Sequence, residues 1–247
     1  RMTRTLRRAE LTPAFVLHHR PYRDTSRIVE AFSREQGRIT LFARGARGPK
    51  SRTASLLRPF VPLLVSWRGH GEAAQLTAAE LAAGTLRGTP GLPSGCVMSG
   101  FYLNELLLRL TTRDDPHPGL FDAYAATLAA LAAGGAPEAP LRAFERRLLE
   151  ELGYGVDLET ELESGRPIDP DGRYTYRAGE GVVRAVADAP GAVAGRSLLG
   201  LAAGHLASAS ELEDARRVLR AALDYCLEGR ELATRAVARA VAHKERR

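Results

Sequence analysis

GRITLFARG, residues 37–45, alternates with a period of two. Successive side chains of an extended chain point to opposite sides, so Ile39, Leu41 and Ala43 share one face and Arg38, Thr40, Phe42 and Arg44 the other. The first set belongs in a core. The second joins cations to one aromatic ring, which is what a platform for a single-stranded nucleic acid needs: charge for the backbone and a π-face for the bases.

Similar apolar runs flank this strand. PAFVLHH (13–19), TSRIVEAF (25–32), FVPLLVSW (60–67) and EAAQLTAAEL (72–81) have strand length and are separated by turn residues. Five short strands without heptads or βαβ spacing predict a small closed barrel, and the five-stranded OB-fold is the commonest of that strand count. Between the third and fourth runs lies RGARGPKSRTASLLRPF (44–60), with cations at Arg44, Arg47, Lys50, Arg52 and Arg58 and no acid. Gly45 and Gly48 permit close backbone approach, and arginine offers bidentate contacts to phosphate. The segment reads as a phosphate-gripping arm. Arg4, Arg7 and Arg8 offer a second, flexible one.

The charge distribution points the same way. The 247 residues carry a net charge of +6. Residues 1–80 hold 15 Lys and Arg against six acids, whereas the remainder holds 20 against 23. A polyanionic partner is expected at the first third. No apolar run approaches the ~18 residues of a membrane span, and the basic start is not followed by a signal-type stretch, so a soluble, cytoplasmic protein is expected. Cys96 and Cys226 are the only cysteines and form no C-x-x-C pair, which argues against a disulfide framework and a thiolate zinc site. His18 and His19 point to opposite strand faces and cannot easily grip one metal. Asp114-Asp115-Pro116-His117-Pro118 reads as an interhelix turn. There is no G-x-x-x-x-G-K-[ST] phosphate loop, and the acids of residues 1–80 are scattered, unlike the carboxylates that hold Mg²⁺ in nucleases. A protein that is not an enzyme and needs no cofactor is expected.

Beyond residue 90 the period changes. GLPSGCVMSGFYLNELLLRL (91–110), GLFDAYAATLAAL (119–131) and APLRAFERRLLEEL (139–152) place apolar residues at helical spacing. Residues 153–190 lose that period and read as an inserted hairpin, RYTYRA (173–178) with GVVRAV (181–186). Helical texture resumes near 195; Ser210-Glu211-Leu212-Glu213 offers a capping box, and ELATRAVARAVAHKERR closes the chain. The expected α+β organisation is therefore a barrel domain over 1–80 and a helical domain over 81–247, interrupted by the 153–190 module.

These segments, in order, resemble the bacterial recombination mediator family RecO. The resemblance rests on Arg44-Gly-Ala-Arg47 with Leu57-Arg58-Pro59-Phe60, on Phe101-Tyr-Leu-Asn-Glu-Leu-Leu107, and on Leu120-Phe121 with Tyr124. It continues through Leu141-Arg142, Phe144-Glu145 and Leu152-Gly153-Tyr154 to Gly229, Leu232, Thr234 and Arg235. Each motif is weak singly, and the ordered set is specific. The resemblance implies an N-terminal OB-fold and a helical domain with a small inserted module. In many relatives that module holds zinc through four cysteines; here residues 157–185 contain none, so its hairpin must rest on its own packing, with Tyr174 and Tyr176 as contributors.

The same resemblance implies binding of single- and double-stranded DNA and annealing of strands coated with single-strand-binding protein. It further implies loading of RecA with the partner RecR. DNA contacts are expected from Arg38, Phe42, Arg44, Arg47, Lys50, Arg52 and Arg58. The acidic, apolar-ended tail of the coating protein would seek cations beside an apolar groove, for which Arg142, Arg146 and Arg147 are candidates. A sequence-tolerant RNA-binding OB protein is the alternative.

Overall fold

The computed structural model describes residues 7–48, 51–69, 73–84, 91–186 and 189–245. The chain forms two compact units, Arg1–Gly134 and Gly135–Arg247. In the first unit β1 (Arg7–Tyr22), β2 (Ser26–Ser33), β3 (Gly37–Ala43), β4 (Leu63–Gly69) and β5 (Ala74–Leu81) close a barrel in the order β1-β2-β3-β5-β4. Among the described strand pairs of the barrel only β3–β5 is parallel. This is an OB-like barrel. Its interior takes Val16, Val29, Leu63, Val65 and Trp67 together with Ile39, Leu41 and Ala43, the three that the alternation of β3 predicts.

Strand β1 extends further toward the N-terminus than its apolar run. A register shift between Ala9 and Thr12 places Leu11 at φ 47°, and its amide donates to Ser66 Oγ at 2.9 Å. Bulges of this kind bend a strand round a small barrel while it keeps pairing. The basic segment contains a five-residue helix, α1 (Arg52–Leu56), whose first turn is capped by Ser51 Oγ accepting from the Ala54 amide at 3.2 Å. Ala46 and Leu57, on either side of it, are buried in the barrel core. The segment is thus pinned at two points and is not a free arm. Gly45, at φ +63° with open space around it, makes the turn into the segment.

The barrel ends near residue 81, but the first unit does not. Helices α2 (Val97–Leu110) and α3 (Pro118–Ala132) lay their apolar stripes on the outside of β1 and β2. Phe15 meets Phe121 and Tyr124 at ring separations of 5.4 and 5.1 Å, and Phe32 meets Phe121 at 5.7 Å. The turn between the helices runs against β3, where the Asp114 amide donates to the Arg38 carbonyl at 2.9 Å. Gly37, at φ +67°, is required there because a β-carbon would collide with the Asp115 carbonyl. The first compact unit, which runs to Gly134, therefore holds these helices together with the barrel. Two helices that belong to the helical run by composition bury their faces on the barrel.

In the second unit α4 (Glu138–Glu151) and α5 (Gly195–Ala203) pack on α6 (Ala209–Cys226), and α7 (Ala233–Glu245) follows. The expected hairpin is present as β6 (Arg173–Arg177) and β7 (Gly181–Arg184), and β8 (Val193–Ala194) adds a third strand in the order β7-β6-β8. Tyr174 is buried and its hydroxyl accepts from the Asp169 amide at 2.9 Å. Gly195 packs so tightly that a β-carbon would meet the Asp169 carbonyl. Asp214 accepts from the Ala194 amide at 3.0 Å and from Ser197 Oγ at 2.8 Å, tying the sheet to α6. Tyr174 thus anchors the module, while Tyr176 is only half-buried.

The capping box of α6 uses Ser208 with Glu211, two residues before the expected Ser210 and Glu213. Among the described residues no three His, Cys, Asp or Glu side chains are grouped to hold a metal, and the carboxylates of 157–185 are no substitute for four thiolates. No described helix is long and apolar enough to cross a membrane.

Candidate nucleic-acid interface

Helices α2 and α3 cover the part of the outer face of β1–β3 that carries Phe15, Phe32 and Arg38. The face continues beyond them to Arg20, which is exposed, and to Tyr22, Ile28 and Phe42, which are half-buried. There the register aligns Arg20 with Ile28 and Ile28 with Phe42, and places Tyr22 opposite Ser26 one pleat further on. Tyr22 and Phe42 meet edge to face, with centroids 5.4 Å apart and planes at 88°. The Arg23 guanidinium lies 5.3 Å from the Tyr22 centroid, and that of Arg44 lies 5.9 Å from the Phe42 centroid. Planar cations thus occupy positions over the rings that a nucleobase could take. A base that displaces one frees the guanidinium for its own phosphate.

The basic segment borders this face. The Arg47 amide donates to the Thr25 carbonyl at 3.1 Å, and its guanidinium donates to the Arg23 carbonyl at 2.7 Å. Arg52 opens α1 and Arg58 follows it, both exposed. Lys50 lies outside the described residues, as does Arg4 of the N-terminal arm; Arg7 and Arg8 are in β1. Gln75 fixes the edge by donating to the Phe42 carbonyl at 3.3 Å.

Arg38 departs from expectation. It shares a strand face with Phe42 and Arg44, but its end of that face lies under α2. Its guanidinium donates to the Leu108 carbonyl at 2.9 Å. Burial pushes its pKa down, against the pull of the nearby Glu30 carboxylate. Arg38 ties β3 to α2 and leaves the exposed basic set. Tyr22, Arg23 and Arg20 join it, although Pro21-Tyr22-Arg23-Asp24 reads in the sequence as a mere break. In an OB barrel the β1–β2 turn borders the ligand face, which is the signal that could have found them.

Ion pairing separates this region from the rest of the molecule. Elsewhere most arginines have a carboxylate in reach: Arg34 with Asp122, Arg113 with Glu30, Arg177 with Glu163, Arg196 with Asp171, Arg216 with Glu213. Among the described residues Arg20, Arg23, Arg27, Arg44, Arg47, Arg52 and Arg58 have none within 4.0 Å. Cations held without counter-charge keep a positive potential that favours a polyanion. His19 lies on β1 next to Arg20. Burial lowers its pKa, and the positive charges of Arg27 and His18 lower it further.

The candidate cations of α4 fare differently. Arg142 is 6% exposed and donates to Glu145 at 2.6 Å, so it faces the interior and cannot meet a partner. The expectation of a docking role for Arg142 is corrected on that ground. Arg146 and Arg147 remain accessible, paired with Glu150 and Glu151. The groove of about 190 Å³ beside Arg146 also carries Glu150, Asp157 and Glu159, a sign unfavourable to an acidic tail.

Models of two family segments match the chain, Recombination protein O N terminal over residues 8–85 and Recombination protein O C terminal over 97–236. The chain is 45% identical over 233 residues to the DNA repair protein RecO of Aromatoleum aromaticum, covering 93% of this chain and 95% of that one. It is 43% identical over 235 residues to the DNA repair protein RecO of an Azoarcus species, with coverage of 93% and 95%. Against the DNA repair protein RecO of Alkalilimnicola ehrlichii it is 45% identical over 244 residues, with coverage of 97% and 94%.

Proposed function

The chain belongs to the RecO family of DNA repair proteins, and from that premise we propose that it binds single- and double-stranded DNA and anneals complementary strands coated with single-strand-binding protein. With RecR it then promotes loading of RecA. The observation that carries this reading is the set of arginines without carboxylate partners around the Tyr22–Phe42 pair. Annealing brings two polyanions together, so cations that release counterions from both strands lower the barrier without covalent chemistry. No catalytic step is needed, and the protein acts as a binding factor in the cytoplasm, at the nucleoid.

In this reading Tyr22 and Phe42 hold bases of one strand, while Arg44, Arg47, Arg52 and Arg58 hold phosphates; duplex DNA uses the phosphate contacts alone. Arg146 and Arg147 are the remaining cations proposed for the tail of the coating protein. The test is annealing of complementary oligonucleotides pre-coated with single-strand-binding protein. Wild-type protein should accelerate it, and a variant with Arg44, Arg47 and Arg52 replaced by alanine should not. Equal acceleration by both would remove the interface from the proposal. Competition by single-stranded RNA that exceeds that by single-stranded DNA would favour the RNA-binding alternative.

A further inference from the structure

The second unit contains a cleft of about 230 Å³ that DNA annealing does not use. Its walls are the turn that follows α4, the β6–β7 turn and the last turn of α6, and they bring together Tyr154, Tyr176, Tyr225, Asp157 and Glu180. The wall is built rather than incidental. Gly179, at φ +78°, leaves the space that the Tyr225 ring fills, so that ring is laid across the hairpin turn.

The charged side chains that line the cleft, Asp157 and Glu180, are both acidic. No Lys, Arg or His lines it. Asp157 uses Oδ1 to accept from the Glu159 and Thr160 amides, and no described residue pairs with its Oδ2. Glu180 has no cationic partner among the described residues. Helices α4 and α6 both end at the cleft, and helix C-termini favour positive charge. Tyrosine rings present negative π-faces to a cation.

We propose that this cleft docks a cationic side chain, arginine or lysine, presented by a partner protein. A guanidinium stacks flat on a tyrosine while its edge pairs with a carboxylate. A protein is favoured over a small free cation because the rim is apolar: Tyr154 and Tyr225 are 51% and 53% exposed, and Leu162, 48% exposed, borders Gly181. Aromatic surface round an arginine anchor is the usual composition of an interface hot spot. Nucleic acid is disfavoured because its phosphates would face two carboxylates.

The test is a titration of the full chain with an acetyl-glycyl-arginyl-glycine amide peptide, followed by tyrosine ring NMR signals. A matched peptide with neutral citrulline in place of arginine, and an oligothymidylate, serve as controls. Saturable shifts at Tyr154, Tyr176 and Tyr225 are expected from the arginine peptide, about three- to fivefold tighter than from the citrulline peptide. Tyr154→Ala and Glu180→Gln, both at exposed positions, should each weaken binding with an unchanged melting temperature. Equal binding of the citrulline peptide would overturn the proposal. So would shifts produced by the oligothymidylate and not by the arginine peptide.

Discussion

The Tyr124 hydroxyl donates to Asn104 Oδ1 at 2.5 Å, while Asn104 Nδ2 donates to the Leu17 carbonyl at 2.8 Å. Leu17 lies at the register shift between Val16 and His18, where the β1–β2 ladder is interrupted. One asparagine of α2 thus serves an irregular strand position and a buried phenol of α3. Asn104→Leu should remove this buried partner from both groups, at a cost of about 1–3 kcal/mol for each. Urea unfolding measures the loss, and Tyr124→Phe should cost less because it removes one partner only. A value near zero for Asn104→Leu would mean that water replaces the amide.

Arg142 and Glu145 form a buried pair one turn apart on α4. Arg142→Ala should destabilise the protein by about 3–5 kcal/mol by leaving Glu145 without this partner in the interior. The double substitution Arg142→Met with Glu145→Leu should recover much of that loss. DNA affinity of any folded variant should match wild type. Wild-type stability of Arg142→Ala would place the side chain at the surface, contrary to the structure.

The arginines around the Tyr22–Phe42 pair should act through phosphates. If Arg44, Arg47 and Arg52 each contact a single strand, their joint replacement by alanine should shallow the slope of log K against log salt by about 2. Arg38→Ala should leave that slope unchanged and lower stability instead, because Arg38 holds α2 to β3. A salt titration of both variants on one oligonucleotide distinguishes the two roles.

Tyr22 and Phe42 should act through bases. Tyr22→Ala or Phe42→Leu should weaken single-strand binding by about 1–3 kcal/mol per stacked base with little change in salt slope. Duplex affinity should hardly move, since paired bases are already stacked. Parallel loss on both DNA forms would falsify base stacking here.

His19 makes the barrel sensitive to mild acid. Its folded-state pKa lies below its ordinary 6.5, first through burial and then through Arg27 and His18. The unfolded chain therefore binds the proton more readily. Stability is complete above the unfolded value and is lost as pH falls from about 6.5 toward the folded pKa. Urea midpoints at neutral and mildly acidic pH should differ less for His19→Asn than for wild type.

Short-range pattern was enough for the architecture. The alternation of Ile39, Leu41 and Ala43 with their outward neighbours specifies a strand with one buried face, and five such runs leave a closed barrel as the economical arrangement. The imbalance of charge in residues 1–80, the helical periods after residue 90 and the hairpin near 173–184 are equally local signals. At α6 a local signal was ambiguous. Ser208 with Glu211 and Ser210 with Glu213 both satisfy the capping pattern, and only the position at which α6 leaves the preceding loop selects the first.

What the tertiary structure alone decided is which members of a face remain free. Arg38, Phe42 and Arg44 share one side of β3 and are equivalent by periodicity. A helix some 70 positions later in the chain claims Arg38 and leaves Arg44 exposed and Phe42 half-buried. Arg142, Arg146 and Arg147 are likewise neighbours on one helix, but rotation about its axis buries the first beside Glu145 and leaves Arg146 half-buried and Arg147 exposed. Periodicity tells which side chains point together; coverage depends on contacts between segments remote in sequence, which no local pattern encodes. The same cause hid Tyr22 and Arg23, whose turn meets Phe42 only when β1 and β3 pair on either side of β2.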